Sequence, residues 1–187
     1  MSDRIARHFG FLVEADRLKS VDRANVLLDL SRPENSAEHS WHVALQAMVF
    51  GASDRALQML LIHDLVEIDV GDVPLHSAAG QAHGSAKIRA AETAAALRIF
   101  GLLPEPQAQD FLALWQEFEA AATPDAIFAK ALDRCQPVMQ NLRSGGTSWV
   151  DYSVTFADIE ARVGGKITLG APGLWHWLRP RVQAFFA

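Results

Sequence analysis

The stretch Leu60-Leu61-Ile62-His63-Asp64-Leu65-Val66-Glu67 sets one imidazole and two carboxylates among five apolar side chains. Leu57, Leu60, Leu61 and Asp64 recur at helical spacing, Ser53 or Asp54 can cap the start, and Gly71 and Pro74 stop the run, so one helix is expected over about residues 54–70. Ionisable neighbours on an apolar helix are costly to bury unpaired. A cation would neutralise the carboxylate and use the imidazole. Adjacent helical side chains diverge by about 100°, so further ligands must come from other helices. The segment Arg32-Pro33-Glu34-Asn35-Ser36-Ala37-Glu38-His39-Ser40 offers His39 upstream, and Ala129-Lys130-Ala131-Leu132-Asp133-Arg134 offers Asp133 downstream.

The surrounding chain reads as helix after helix. Residues 3–19 carry Ile5, Phe9, Leu12 and Val13 as one apolar stripe. A polar, irregular stretch is expected up to Asn35, after which Ser36 can cap a helix over 37–50 that ends at Gly51. Residues 77–84 lack an apolar anchor and read as a mobile loop, a candidate lid holding His83. Helices follow over 85–100 and 105–121, the second with Phe111, Leu114, Trp115 and Phe118 as core. Thr123 then caps a helix with Pro124 at its first position, which carries Asp133 and ends at Gly145-Gly146. Residues 152–163 and 174–186 are weaker helical candidates. No segment alternates with period two, so the fold class is all-α, one globular helical domain over residues 1–187.

Composition bounds the function. At 187 residues, 50% hydrophobic and 21% charged, the chain can bury a core without staples. A net charge of -5 argues against a nucleic-acid polymer or an anionic membrane as partner and favours a small molecule. The lone Cys135 forms no intrachain disulfide, no apolar run approaches the roughly 18 residues of a membrane span, and a cytoplasmic location is expected.

The order His39, His63-Asp64, Asp133, together with Arg32-x-Glu34-Asn35-x-x-Glu38-His39, Glu67, Gly71-Asp72-x-Pro74 and Lys130-x-x-Asp133, resembles the HD-domain metal-dependent phosphohydrolases, in their 5'-deoxynucleotidase-like branch. The resemblance covers about residues 20–145. It implies one divalent metal on His39, His63, Asp64 and Asp133, catalysis by Glu67 and Asp72, phosphate gripped by an upstream Arg for which Arg23 is the nearest match, deoxynucleoside 5'-monophosphates as substrates, and a homodimer. Ala24 and Asn25 follow Arg23 where the family often has Trp, which leaves base and sugar selectivity open. Pyrophosphate or triphosphate hydrolysis, and a silent nucleotide-sensing module, are the alternatives.

The residues fit that chemistry on their own terms. Two imidazoles and two carboxylates hold a divalent cation while leaving positions for water and a phosphate oxygen, and such a mixed set accepts Mn, Co, Ni, Fe, Zn or Mg. Glu67, one turn after His63, is expected on the same face, where it can position the water or move its proton. Asp72, just past the helix, can protonate a leaving 5'-oxygen. Arg32 presents a second guanidinium fork for phosphate, and His76 lies in the same loop region as substrate contacts would. His42 shares a face with His39 but sits among Trp41, Val43 and Leu45, as a packed histidine does, and Cys135 reads as a small buried residue.

Overall fold

The computed structural model describes residues 2–77 and 85–187; the expected lid with His83 falls, apart from Ser77, outside the described residues. The chain opens with α1 (Ser2–Asp16), which tightens into a 3-10 turn at Arg17–Ser20. Arg7 ties α1 down by donating to the carbonyls of Gly101, Leu102 and Leu103, and Phe11 meets Phe111 edge-on at 5.7 Å. That anchoring face is not the expected stripe. Ile5, Phe9, Leu12 and Val13 lie outward, 50–69% exposed.

The stretch expected to be irregular instead forms an antiparallel ribbon of β1 (Asp22–Val26) and β2 (Pro33–Asn35), with Asp22 opposite Asn35 and Val26 opposite Pro33 across a bulge. Strands of five and three residues are too short to display an alternation. α2 (Ser36–Val49) follows directly, and its cap is Asn35 rather than Ser36. The Asn35 side chain accepts from the Glu38 N–H at 3.0 Å while the Glu38 carboxylate accepts from the Asn35 N–H at 3.1 Å, a reciprocal capping box. Ser36 therefore keeps its hydroxyl for other work.

α3 (Asp54–Ile62), capped by Ser53, does not run on as one helix. It passes into a 3-10 turn at His63–Val66 and then the single turn α4 (Glu67–Val70), stopped by Gly71 at φ +75°. In a 3-10 turn residues i and i+3 eclipse. Glu67 thus shares its direction with Asp64, three residues back, and not with His63 as expected.

Ser85 caps α5 (Ala86–Phe100), α6 (Gln107–Ala120) carries buried Leu114, Trp115 and Phe118, and Thr123 caps α7 (Pro124–Ser144). α7 continues through Pro137 and ends at Gly145, φ +78°. The last segment is helical but broken: α8 (Thr147–Asp151), α9 (Phe156–Ile159), a π-turn at Glu160–Gly164, α10 (Gly165–Gly170) and α11 (Pro172–Phe185).

α7 is the axis of the molecule because it serves two cores. Ala129 and Leu132 join Val43, Ala47, Met59, Leu60, Ile99 and Phe118 on one side. Ala131, Cys135 and Val138 join Trp149, Ile159, Ile167, Leu178 and Val182 on the other. α10 approaches α7 so closely that a Cβ at Gly170 would lie 2.4 Å from the Ile127 carbonyl oxygen and 2.7 Å from the Ala131 Cβ. No helix among the described residues is long and apolar enough to cross a membrane.

Candidate metal centre

α2, the His63–Val66 turn and α7 each deliver a buried polar side chain to one point. One ligand atom from each of His39, His63 and Asp64 lies within 4.8 Å of the others. Asp133 lies beside this group: its Oδ1 is 3.2 Å from His39 Nε2 and 3.6 Å from His63 Nε2. Asp64 contributes both oxygens, Oδ1 at 3.0 Å from His63 Nε2 and Oδ2 at 3.8 Å from His39 Nε2. Nitrogen and oxygen ligands about 2.1 Å from one ion, at right angles, stand about 3 Å apart, which these separations approach.

The far side of each ring explains why Nε2 faces inward. His63 Nδ1 lies 2.8 Å from the Leu60 carbonyl, an acceptor only, so Nδ1 donates there and Nε2 is the ring nitrogen turned toward the carboxylates. That Nε2 is buried without a hydrogen-bond partner. His39 Nδ1 lies 3.1 Å from Gln136 Oε1, and the Gln136 amide is oriented by donating its N–H to Glu34 Oε1 at 3.0 Å. A buried orphan nitrogen and two rings steered by outer acceptors are the arrangement that metal-binding histidines need. Charge favours a cation too. Burial and Arg23 drive the His39 proton off, but the bonds to Asp133 and Glu34 and the charge of Asp64 prevail and hold it up to about 9.

A second tier surrounds these four residues. Arg23, on β1, sends Nη1 to Asp64 Oδ2 at 3.0 Å, Glu67 Oε1 at 3.4 Å and Asp72 Oδ1 at 3.6 Å. The eclipsed geometry of the 3-10 turn is what lets Asp64 and Glu67 share that guanidinium. Burial, then the Asp64 charge, pushes the Glu67 carboxyl up to about 8 against the pull of Arg23, while the Ser36 hydroxyl donates to its other oxygen. Burial likewise raises Asp72.

Two cavities meet at this tier. The larger, about 590 Å³, is floored by His63, Asp64, Glu67 and Asp133 and walled by Trp115 and Lys87. The smaller, about 90 Å³, is lined by Asn25, His76, Asn141, Ser148, Trp149 and Tyr152. Its polar floor is prearranged: Asn25 Oδ1 accepts from Asn141 Nδ2 at 3.0 Å and from Ser148 Oγ at 2.7 Å. Arg23, Asp72 and Arg134 line both.

His39, His63, Asp64, Asp133, Glu67, Asp72 and Arg23 therefore assemble, and His76 stands at the edge of the smaller cavity, its proton affinity lowered by burial and by Arg162. Arg32 does not join them. It is half exposed, bound to Glu38 Oε2 at 2.8 Å and to the Pro33 carbonyl at 3.0 Å, and lines neither cavity. The reason is the capping box, which holds Glu38 within reach of Arg32 on the outer side of α2. His42 is the packed residue expected, its Nδ1 3.3 Å from Gln136 Nε2 and its ring stacked on Trp41. Cys135 is fully buried, and burial pushes its thiol up to about 12.

The HD domain family model matches residues 15–175. The chain belongs to the HD-domain family. Human 5'-deoxynucleotidase HDDC2 is 33% identical to this HD-domain chain over 135 residues, covering 70% of it and 64% of the human protein. 5'-Deoxynucleotidase hdd1 of Schizosaccharomyces pombe is 27% identical over 70% of the chain and 68% of that protein. The chain thus spans about two-thirds of the length of the curated relatives it matches. A crystal structure described as a predicted metal-dependent phosphohydrolase, from Magnetospirillum magnetotacticum MS-1, superposes with TM-score 0.88 at 41% identity, covering 98% of this chain and 95% of that one. PH0347 protein from Pyrococcus horikoshii OT3 shares the fold, TM-score 0.67 at 19% identity over 92% of this chain and 99% of that one.

Three residues around the HD centre carry roles that the sequence reading did not assign: Glu34, Ser36 and Gln136. Gln136 had a signal, since it lies three residues after Asp133 and so on the same face of α7. Ser36 had none, because a Ser beside Asn35 reads first as a cap.

Proposed function

We propose that this HD-domain chain is a metal-dependent phosphohydrolase that removes phosphate from deoxynucleoside 5'-monophosphates. The observation that supports this reading is the pair of imidazoles, each steered from outside, turning Nε2 toward two carboxylates on the floor of a 590 Å³ cleft. That volume suits a small ligand. The comparisons add that relatives at about 30% identity are 5'-deoxynucleotidases.

His39, His63, Asp64 and Asp133 would hold the cation. A divalent ion there makes a coordinated water acidic and draws charge from the phosphoryl oxygens. Glu67 takes the proton of the attacking water on Oε1, its near-neutral carboxyl being matched to proton transfer around pH 7. Ser36 keeps the other oxygen occupied, so the acceptor is oriented before substrate arrives. Asp72, at the junction of the two cavities, gives a proton to the leaving 5'-oxygen. Arg23 holds the three carboxylates in place and turns the rest of its fork toward phosphate. His76 contacts the nucleoside. The homodimer implied by the resemblance belongs to the same proposal and is checked by mass in solution.

A phosphate-release screen over nucleoside mono-, di- and triphosphates with Mn, Co, Ni, Fe, Zn and Mg tests the reading. Turnover of deoxynucleoside monophosphates with a divalent metal is expected. Release only of pyrophosphate or triphosphate would replace it with the pyrophosphohydrolase or triphosphohydrolase alternative, and nucleotide binding without turnover would leave a sensing module.

A further inference from the structure

Arg134 follows Asp133 on α7 and lines both cavities, yet its charge is almost unclaimed. Its Nε is buried without a hydrogen-bond partner. Among the described residues its one ion pair is a 3.7 Å approach to Asp133 Oδ2, too long for a hydrogen bond. Arg23, which lines the same two cavities, is the opposite case, with one nitrogen shared by three carboxylates. Lys130, one turn before Arg134, is also committed: it donates to Glu119 at 2.8 Å and covers the Phe118 ring at 3.9 Å.

A second cation is brought up to Arg134 by helix packing. Gly170 allows α10 to touch α7 at Ile127 and Ala131, and Lys166 stands one turn before Gly170 on α10. The Arg134 guanidinium is the chief cause holding the exposed Lys166 ammonium below its ordinary value, followed by partial burial and Lys130. Lys166 has no carboxylate within 4 Å among the described residues. A loosely paired guanidinium lining a cleft is relieved by an anion, and its fork matches two oxygens of a phosphate.

We infer that Arg134 is the anion-binding arm of the centre, receiving phosphoryl oxygens of the substrate. The inference rests on the phosphohydrolase reading for the identity of the anion, and on geometry for the site. Arg23 then serves chiefly to order the carboxylates, and Arg134 to seat the phosphate against the cation.

Calorimetric titration of inorganic phosphate into the metal-loaded protein tests this, with metal content measured alongside. Arg134→Gln should bind phosphate about ten- to a hundredfold more weakly at full metal content, the effect of losing a charged hydrogen-bonding partner. Arg134→Lys should recover part of the affinity, and in turnover Arg134→Gln should raise KM for the nucleotide by a similar factor. Wild-type phosphate affinity in Arg134→Gln overturns the inference. So does loss of metal with normal phosphate binding after reloading, since Arg134 would then be only the counterion of Asp133. Should Arg134→Gln fold poorly, Arg134→Met, which keeps the apolar stem, reads the same arm: weakened phosphate binding supports the site and unchanged binding removes it. A wild-type protein that binds phosphate through Arg134 but cleaves no nucleotide keeps this inference and defeats the proposed activity. One that cleaves nucleotides with KM unaltered in Arg134→Gln does the reverse.

Discussion

The two walls of the HD centre are built on opposite principles. On the ribbon and α2 side the groups next to the centre are tied to one another, Arg23 to Asp64, Glu67 and Asp72, Ser36 to Glu67, and His39 to Gln136, which in turn donates to Glu34, although Glu34 Oε2 and Ser40 Oγ are buried without a hydrogen-bond partner. On the α7 side, Arg134 lines the cleft with little to hold it. A wall of linked groups resists rearrangement, because moving one of them strands a buried partner. An unlinked one is disposed to take a ligand. The contrast separates residues that maintain geometry from residues that meet substrate, and substitutions can break or sharpen it.

The largest effect is expected where the walls meet. Asp64 touches both imidazoles and Arg23, so Asp64→Ala should lose metal and activity together, read by elemental analysis and phosphate release. Retained stoichiometric metal in that variant would remove Asp64 from the ligand set. Glu67→Gln should keep its metal yet lower kcat by about 10²–10⁴ with KM little changed, the usual contribution of a positioned proton acceptor. An emptied site would make Glu67 a ligand, and full turnover would make it a bystander.

Next comes the linked wall itself. Gln136→Leu strips the acceptor from His39 Nδ1 and leaves Glu34 without its donor, so metal affinity should fall about 10–100-fold, the range known for outer partners of ligating histidines. Titration of the metal-free protein with Mn or Co measures it, and an unchanged affinity would mean that packing alone aims the His39 ring. The smallest effect on the centre should come from Gly170→Ala. Its new Cβ would press on the Ile127 carbonyl and Ala131, lowering stability by about 1–3 kcal/mol as overpacking does. Denaturant unfolding should register that loss while metal content stays at the wild-type level. A parallel loss of metal would show that the α10 contact also sets the position of Asp133.

How much of this was legible in the sequence depended on scale. The residues that gather at the centre could be read because ionisable groups stood in apolar surroundings, where burial makes them expensive unless used. The element bearing two of them was misjudged, since a four-residue 3-10 turn cannot be told from a helix by periodicity when the two periods differ by less than one residue per turn. The partner of Glu67 shifted accordingly from His63 to Asp64. Arg32 looked as suited to phosphate as Arg23, and only the fold, by setting Glu38 beside one and three carboxylates beside the other, separated them. The stripe on α1 was a correct apolar row with a wrong destination: pattern shows that a helix has an apolar side, not what lies against it.

The 3-10 turn also bears on how this lineage can change. Across His63–Val66 each residue turns the chain by about 120°, so one inserted or deleted residue between Asp64 and Glu67 would swing the Glu67 carboxylate a third of a circle away from Arg23. Past Gly71 no such register applies. Length variation among descendants of this chain is therefore expected to be purged within that short interval and to be better tolerated between Asp72 and the start of α5.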